Sequence, residues 1–103
     1  MPTFLLVLYS RKGCCLCEGL ENHLKDLALD EISPSLELRV IDIDEDIVPE
    51  SIRVRYAMEV PVLVLKQAAN NNQFLLPRVS PRLKGSALAI WLQGACIKAI
   101  ERN

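Results

Sequence analysis

Residues 4–20 read FLLVLYSRKGCCLCEGL, an apolar run that ends at a basic, glycine-containing break and restarts with three cysteines, Cys14, Cys15 and Cys17. The run from Phe4 to Tyr9 has no polar alternation, is short and carries an aromatic residue at each end. That pattern predicts a central strand covered on both faces. Ser10, Arg11, Lys12 and Gly13 break it, and Leu16, Leu20, Leu24, Leu27 and Ala28 follow at helical spacing. A first helix therefore begins at or just after the cysteines. It is expected to run to near Ile32, where Ser33-Pro34 disfavours continuation.

Outward from this junction, Leu36 to Val40 alternates and Ile41-Asp42-Ile43 continues in the opposite phase. This predicts a second strand with an irregularity or deeper burial near its end. Asp46 is a natural N-cap for a short helix that tolerates Pro49 in its first turn and carries Val48, Ile52 and Tyr56 on one face, to about Met58. Val60-Pro61-Val62-Leu63-Val64-Leu65 predicts a buried strand with Pro61 at its start, where no ladder hydrogen bond is lost. Asn70, Asn71 and Asn72 tolerate left-handed backbone, so Lys66 to Gln73 reads as a hairpin loop into a short strand around Phe74-Leu75-Leu76. A last helix, starting at Ser80-Pro81 or at Gly85-Ser86, carries Leu83, Ala87, Ile90, Trp91, Ile97 and Ile100. The order is β-α-β-α-β-β-α, an α/β domain with a mixed four-stranded sheet and three helices on its faces.

A chain of 103 residues, 50% hydrophobic and 24% charged, suits one domain spanning residues 1–103. Twelve basic against thirteen acidic residues give a net charge of -1, without the basic excess that nucleic acid demands. The run from Phe4 to Tyr9 is far short of the about 20 residues that cross a bilayer, and no basic segment precedes it as in a secretory leader. Neither a nucleic-acid nor a membrane partner is expected. Cysteines clustered in this way, instead of spread as a disulfide framework, point to thiol chemistry in a cytoplasmic chain.

Cys14 and Cys17 form a C-x-x-C pair between a strand and a helix, the placement of a thiol redox motif. At a helix N-terminus the first residue can lie outside helical geometry, which brings thiols three positions apart within disulfide reach. Unpaired amides and the helix dipole favour a thiolate at Cys14, and Arg11 and Lys12 add positive charge, with Glu18 and Glu21 partly opposing it. Cys14 is thus the candidate attacking thiolate and Cys17 the resolving thiol. Two other readings compete: an inert buried cluster, and a soft metal site completed by Cys96 or His23. Adjacent Cys14 and Cys15 cannot easily face one ion and no second C-x-x-C exists, so no metal is expected. Cys15 reads as a spare thiol, Cys96 as packed and inert, and His23 as a solvated helix residue. The acidic stretch Asp42 to Asp46 lacks the glycine and distal glutamate of a calcium loop and suits a solvated helix start.

The C-x-x-C after the first strand, the Val60-Pro61 step and the element order together resemble glutaredoxins and the thioredoxin fold over most of the chain. More narrowly, Gly13-Cys14-Cys15-Leu16-Cys17-Glu18, followed by Tyr56 and Val60-Pro61-Val62-Leu63, resembles small glutaredoxin-like proteins with a C-x-L-C site. The resemblance implies a thioredoxin-like, glutaredoxin-type fold in which Pro61 is cis and stands beside Cys14 and Cys17. It further implies that the backbone of Val60 pairs with an extended substrate, glutathione or a protein segment. Arg11, in Tyr9-Ser10-Arg11, would then meet a glutathione carboxylate. The chain departs from glutaredoxins in Leu83-Lys84-Gly85-Ser86-Ala87, with one glycine and no acid, and in Cys15-Leu16 between the paired cysteines.

The expected function is a monomeric thiol-disulfide oxidoreductase of electron transport and cell redox homeostasis. It would reduce protein or glutathione mixed disulfides, draw electrons from glutathione or a reductase, and hold no cofactor. The alternative is a non-enzymatic redox-sensing or metal-binding adaptor on the same fold.

Overall fold

A computed structural model describes residues 4–67 and 69–102. Its elements are β1 (Phe4–Ser10), α1 (Cys15–Lys25), β2 (Leu36–Asp42), α2 (Glu50–Tyr56), β3 (Val62–Gln67), β4 (Gln73–Leu75) and α3 (Gly85–Glu101). The sheet runs β2-β1-β3-β4, with β1 parallel to β2 and antiparallel to β3, and β3 antiparallel to β4. The apolar run that opens the chain is therefore interior, and alternate residues feed opposite faces. Leu6 and Leu8 join Leu20 and Leu24 of α1 and Leu88 and Leu92 of α3 on one side. Val7 and Tyr9 join Ile43, Tyr56, Val62 and Val64 on the other, beneath α2. The fold is thioredoxin-like, in the element order that the sequence predicts.

Several local expectations are corrected. α1 ends at Lys25 rather than near Ile32. The Leu27 amide closes a tight turn on the Leu24 carbonyl, and Leu29 drops into the core while its carbonyl accepts from Leu36. The apolar residues after Lys25 thus pack a loop and do not extend the helix stripe. Within α1 the buried face is Cys17, Leu20 and Leu24, and Leu16 is half exposed. In β2 the change of phase reflects deeper burial and not a bulge. The register with β1 is uninterrupted from Leu36 to Asp42, and the fully buried Ile43 donates to the Ser10 carbonyl at 3.0 Å just beyond it.

α2 is capped by Pro49, not Asp46, and ends at Tyr56 instead of Met58. Proline has no amide to leave unpaired at a helix start, so it fits there without a side-chain cap. β3 begins at Val62, one residue after Pro61. The β3–β4 hairpin closes through Gln67 N–H to the Asn72 carbonyl at 2.9 Å, with Asn71 left-handed at φ 59°. α3 starts at the second of the two expected positions, Gly85. It buries Leu88, Leu92, Ala95 and Cys96, whereas Ile90 and Ile97 are 69% and 45% exposed and Ala87 is also outside. This helix is apolar on most of its circumference, so periodicity alone cannot select the face that meets the sheet.

Candidate functional site

The site is built where β1 stops and α1 starts. Gly13, at φ +79°, supplies the left-handed step that ends the loop, a conformation that costs a β-carbon-bearing residue energy. Cys14 then takes the N-cap in extended conformation (φ -86°, ψ 102°), and its Sγ accepts from the Cys17 amide at 3.2 Å. A sulfur thus occupies the place where a serine or aspartate oxygen usually caps a helix. Cys14 and Cys17 are disulfide-bonded, with their Cα atoms 5.2 Å apart. The two sulfurs sit in unequal surroundings: Cys14 is half-buried and Cys17 is 1% exposed. An incoming group can reach the first and not the second. That asymmetry fits an attacking thiol and a sheltered partner.

The other two cysteines differ as sharply. Cys15 is exposed and free, while Cys96 is free and buried in α3, where burial pushes its thiol up to about 11. With iodoacetamide at about pH 8, the native chain with its Cys14–Cys17 disulfide intact is expected to take one label at Cys15 and none at Cys96. The second label should appear only on unfolding, and peptide mass spectrometry reads both sites. Labelling of Cys96 in the folded chain would contradict its burial. Among the described residues, no three His, Cys, Asp or Glu side chains converge in a group that could hold a metal ion. No helix among them is long and apolar enough to cross a membrane.

The Val60–Pro61 peptide bond is cis. Pro61 lines a cleft of about 100 Å³ together with Cys15, Leu16, Leu20 and His23 of α1 and Arg78, Val79 and Leu83 of the segment before α3. The cleft brings together the first turn of α1, the start of β3 and the approach to α3. His23 faces this cleft and is half-buried, where the sequence suggested a solvated helix surface. Arg78 and the apolar Val79 are residues that the sequence did not single out, and Leu83, expected on the last helix, lies just before α3. They follow a three-residue strand and carry no motif, so only the fold brings them to the cleft that Cys15 lines. The Val60 amide donates to the Tyr56 carbonyl at 3.1 Å, so this N–H closes the end of α2 and is already used.

Arg11 is held away from the cleft. Its Nε and Nη2 donate to the two Asp44 carboxylate oxygens at 2.8 and 3.1 Å, and Nη1 donates to the Ala57 carbonyl at 3.1 Å. One guanidinium therefore ties the loop leading into Cys14 to the turn after β2 and to the segment leading into Val60-Pro61. A substrate carboxylate would have to displace Asp44 to use it. The hydrogen bonds and charge of Arg11 hold the Asp44 carboxyl below its usual value of 3.8. A carboxylate lowered on folding contributes stability above the unfolded value and loses it as pH falls through the folded one. Asp44→Asn is therefore expected to lower the melting temperature slightly at about pH 7, with the gap to the parent closing as pH falls below the usual value of 3.8. Thermal denaturation across pH checks this, and a gap independent of pH would exclude the ion pair as its origin.

A protein-family model described as a glutaredoxin-like domain (DUF836) matches residues 5–93. The chain belongs to this glutaredoxin-like family. The matched stretch takes in the whole constellation just described, from β1 through both cysteines and Pro61 into α3. No curated protein matches the chain. Among solved structures, one described only as a malarial protein is similar at 16% identity and a TM-score of 0.57, covering 90% of this chain and 97% of its own. The germline-specific thioredoxin Deadhead of Drosophila melanogaster is similar at 19% identity and a TM-score of 0.53, covering 94% of this chain and 81% of its own. At these identities the likeness concerns the fold. It agrees with a glutaredoxin-like chain built on a thioredoxin frame.

Proposed function

We propose that the chain is a thiol-disulfide oxidoreductase that cycles between a Cys14–Cys17 disulfide and the dithiol. The observation that carries this reading is the unequal pair at the start of α1, with a half-buried N-cap sulfur joined to a buried one. In the reduced chain the Cys17 amide that points at Cys14 Sγ stabilises a thiolate there, helped by the positive end of α1. The Cys14 thiolate attacks one sulfur of a substrate disulfide and expels the other as a thiolate, which takes up a proton. The Cys17 thiol loses its proton and attacks Cys14 Sγ, which releases the second substrate thiol and leaves the Cys14–Cys17 disulfide. Two electrons pass from the dithiol to the substrate, and atoms balance.

Protein disulfides and glutathione mixed disulfides are the substrates of this reading, and glutathione or a reductase restores the dithiol. Pro61 forms a wall of the site, and beside it the Val60 carbonyl is the remaining backbone group that an extended substrate could meet. The setting is the cytoplasm, in redox homeostasis, with a monomer that carries no cofactor. The test equilibrates the chain in glutathione redox buffers and locates each cysteine by peptide mass spectrometry. A reversible Cys14–Cys17 pair with a midpoint between about -180 and -280 mV is expected, the range of exchange catalysts. A pair that never forms at any poise would retire the dithiol mechanism in favour of a sensing or metal-binding adaptor.

A further inference from the structure

The cleft beside the cysteines combines an apolar wall with one cation. Leu16 and Leu20 of α1 line it together with Val79 and Leu83, and Arg78 lines it as well. Leu16 is half exposed there, an arrangement that leaves apolar surface in water unless something covers it. Arg78 is anchored by one donor, Nη1 to the Glu59 carbonyl at 3.0 Å, two residues before Pro61. A carbonyl holds the guanidinium without neutralising it. The ion pairs among the described residues are Arg11–Asp44 and Lys25–Glu21, so Arg78 keeps its charge and Arg11 does not offer a free one. A cleft of about 100 Å³ suits a single side chain of leucine size and not a folded ligand.

We infer that this cleft selects the substrate: it takes a polypeptide disulfide in which the residues flanking the reacting cysteine supply one apolar side chain to the Leu16–Val79–Leu83 wall and one carboxylate to Arg78. The inference rests on the oxidoreductase reading and names its substrate class as an acidic-apolar protein segment. Cys15, which lines the cleft, follows Cys14 directly in the chain, so a substrate sulfur bonded to Cys14 brings its neighbouring residues to this wall. Glutathione offers carboxylates but no large apolar side chain, and so uses half of the cleft.

The test uses the full chain, reduced and freed of reductant, with short peptides whose single cysteine is joined to a thionitrobenzoate reporter. The Cys14 thiolate attacks the peptide sulfur and expels the coloured reporter, and Cys17 then frees the peptide. Cys14→Ser gives the background from Cys15. The cysteine is flanked by Leu and Glu, by Leu and Gln, or by Gly and Glu, and the reporter disulfide of glutathione is the fourth substrate. The Leu-Glu peptide is expected to react about tenfold faster than the Gly-Glu peptide. It should also react about threefold faster than the Leu-Gln peptide. Glutathione should match the Gly-Glu peptide. Arg78→Gln should remove the Glu-over-Gln preference while keeping the Leu-over-Gly preference, and Arg78→Lys should keep both. Equal rates on all three peptides, a preference for Glu that survives Arg78→Gln, or glutathione outpacing the Leu-Glu peptide would each overturn the inference. If none of the four reacts above the Cys14→Ser background, the oxidoreductase reading itself fails.

Discussion

Cys14→Ser is expected to abolish turnover of disulfide substrates, with a loss of at least about a thousandfold, because the thiolate is the only group in the scheme that can open the substrate bond. A serine oxygen can still cap α1 and accept the Cys17 amide, so the fold should persist. Cys17→Ser is expected to fail differently. The first step remains, but the sulfur that would release the substrate is gone, so a mixed disulfide accumulates on Cys14 and is visible as a mass increment of one substrate half. The contrast matters more than either loss. A chain in which both variants retained two-thiol turnover, or in which Cys17→Ser trapped nothing, would not be using this pair. Cys15 provides the internal control. It is exposed and adjacent, so trapping that moved to Cys15 would show that the neighbouring thiol had taken over the attack.

The second large effect concerns the last helix. Leu92→Ala removes a fully buried side chain from the face of α3 that packs on the sheet, next to Leu6, Leu8 and Leu88. Loss of the transferred methyl groups together with the cavity left behind costs about 3 kcal/mol. That is a large part of the about 5–15 kcal/mol that holds a domain of this size. A fall in melting temperature of roughly 10–20 °C follows. Ile90→Ala, two residues away and 69% exposed, should change stability by less than about 0.5 kcal/mol. Paired thermal melts decide which face of α3 meets the sheet. Equal losses for the two variants would mean that the helix is turned differently.

That helix also marks the boundary of what the sequence makes legible. The element order, the sheet composition and the Cys14–Cys17 pair follow from local signals: an unbroken apolar run, cysteines at a strand-to-helix junction, and a proline at a strand start. The orientation of α3 does not, because Leu88, Ile90, Trp91 and Leu92 are all apolar and only contact with the sheet distinguishes them. Leu27 and Ala28 mislead for a related reason. Their apolar spacing continues that of α1, yet both lie in the loop after Lys25, from which the neighbouring Leu29 is buried. At the site, the chemistry is local and readable but its surroundings are not. Arg78, Val79 and Leu83 share a cleft with Cys15 from more than half of the chain away, and the commitment of Arg11 to Asp44 and Ala57 depends on elements that meet only in three dimensions. Asp46 had the right residue type for a cap, but Pro49 takes that place.

The margins of the sheet carry a consequence for how the chain behaves in crowded solution. β4 has only three residues and is followed at once by Leu76 and Pro77, so it offers few open amides to a strand from another molecule. β2, at the opposite margin, is longer, but Glu37 and Arg39 project charge along it at exposed positions. Charges at such positions disfavour edge-to-edge pairing with a neighbour. The chain can therefore present an open, partly apolar cleft beside its cysteines without the strands behind it recruiting copies of themselves.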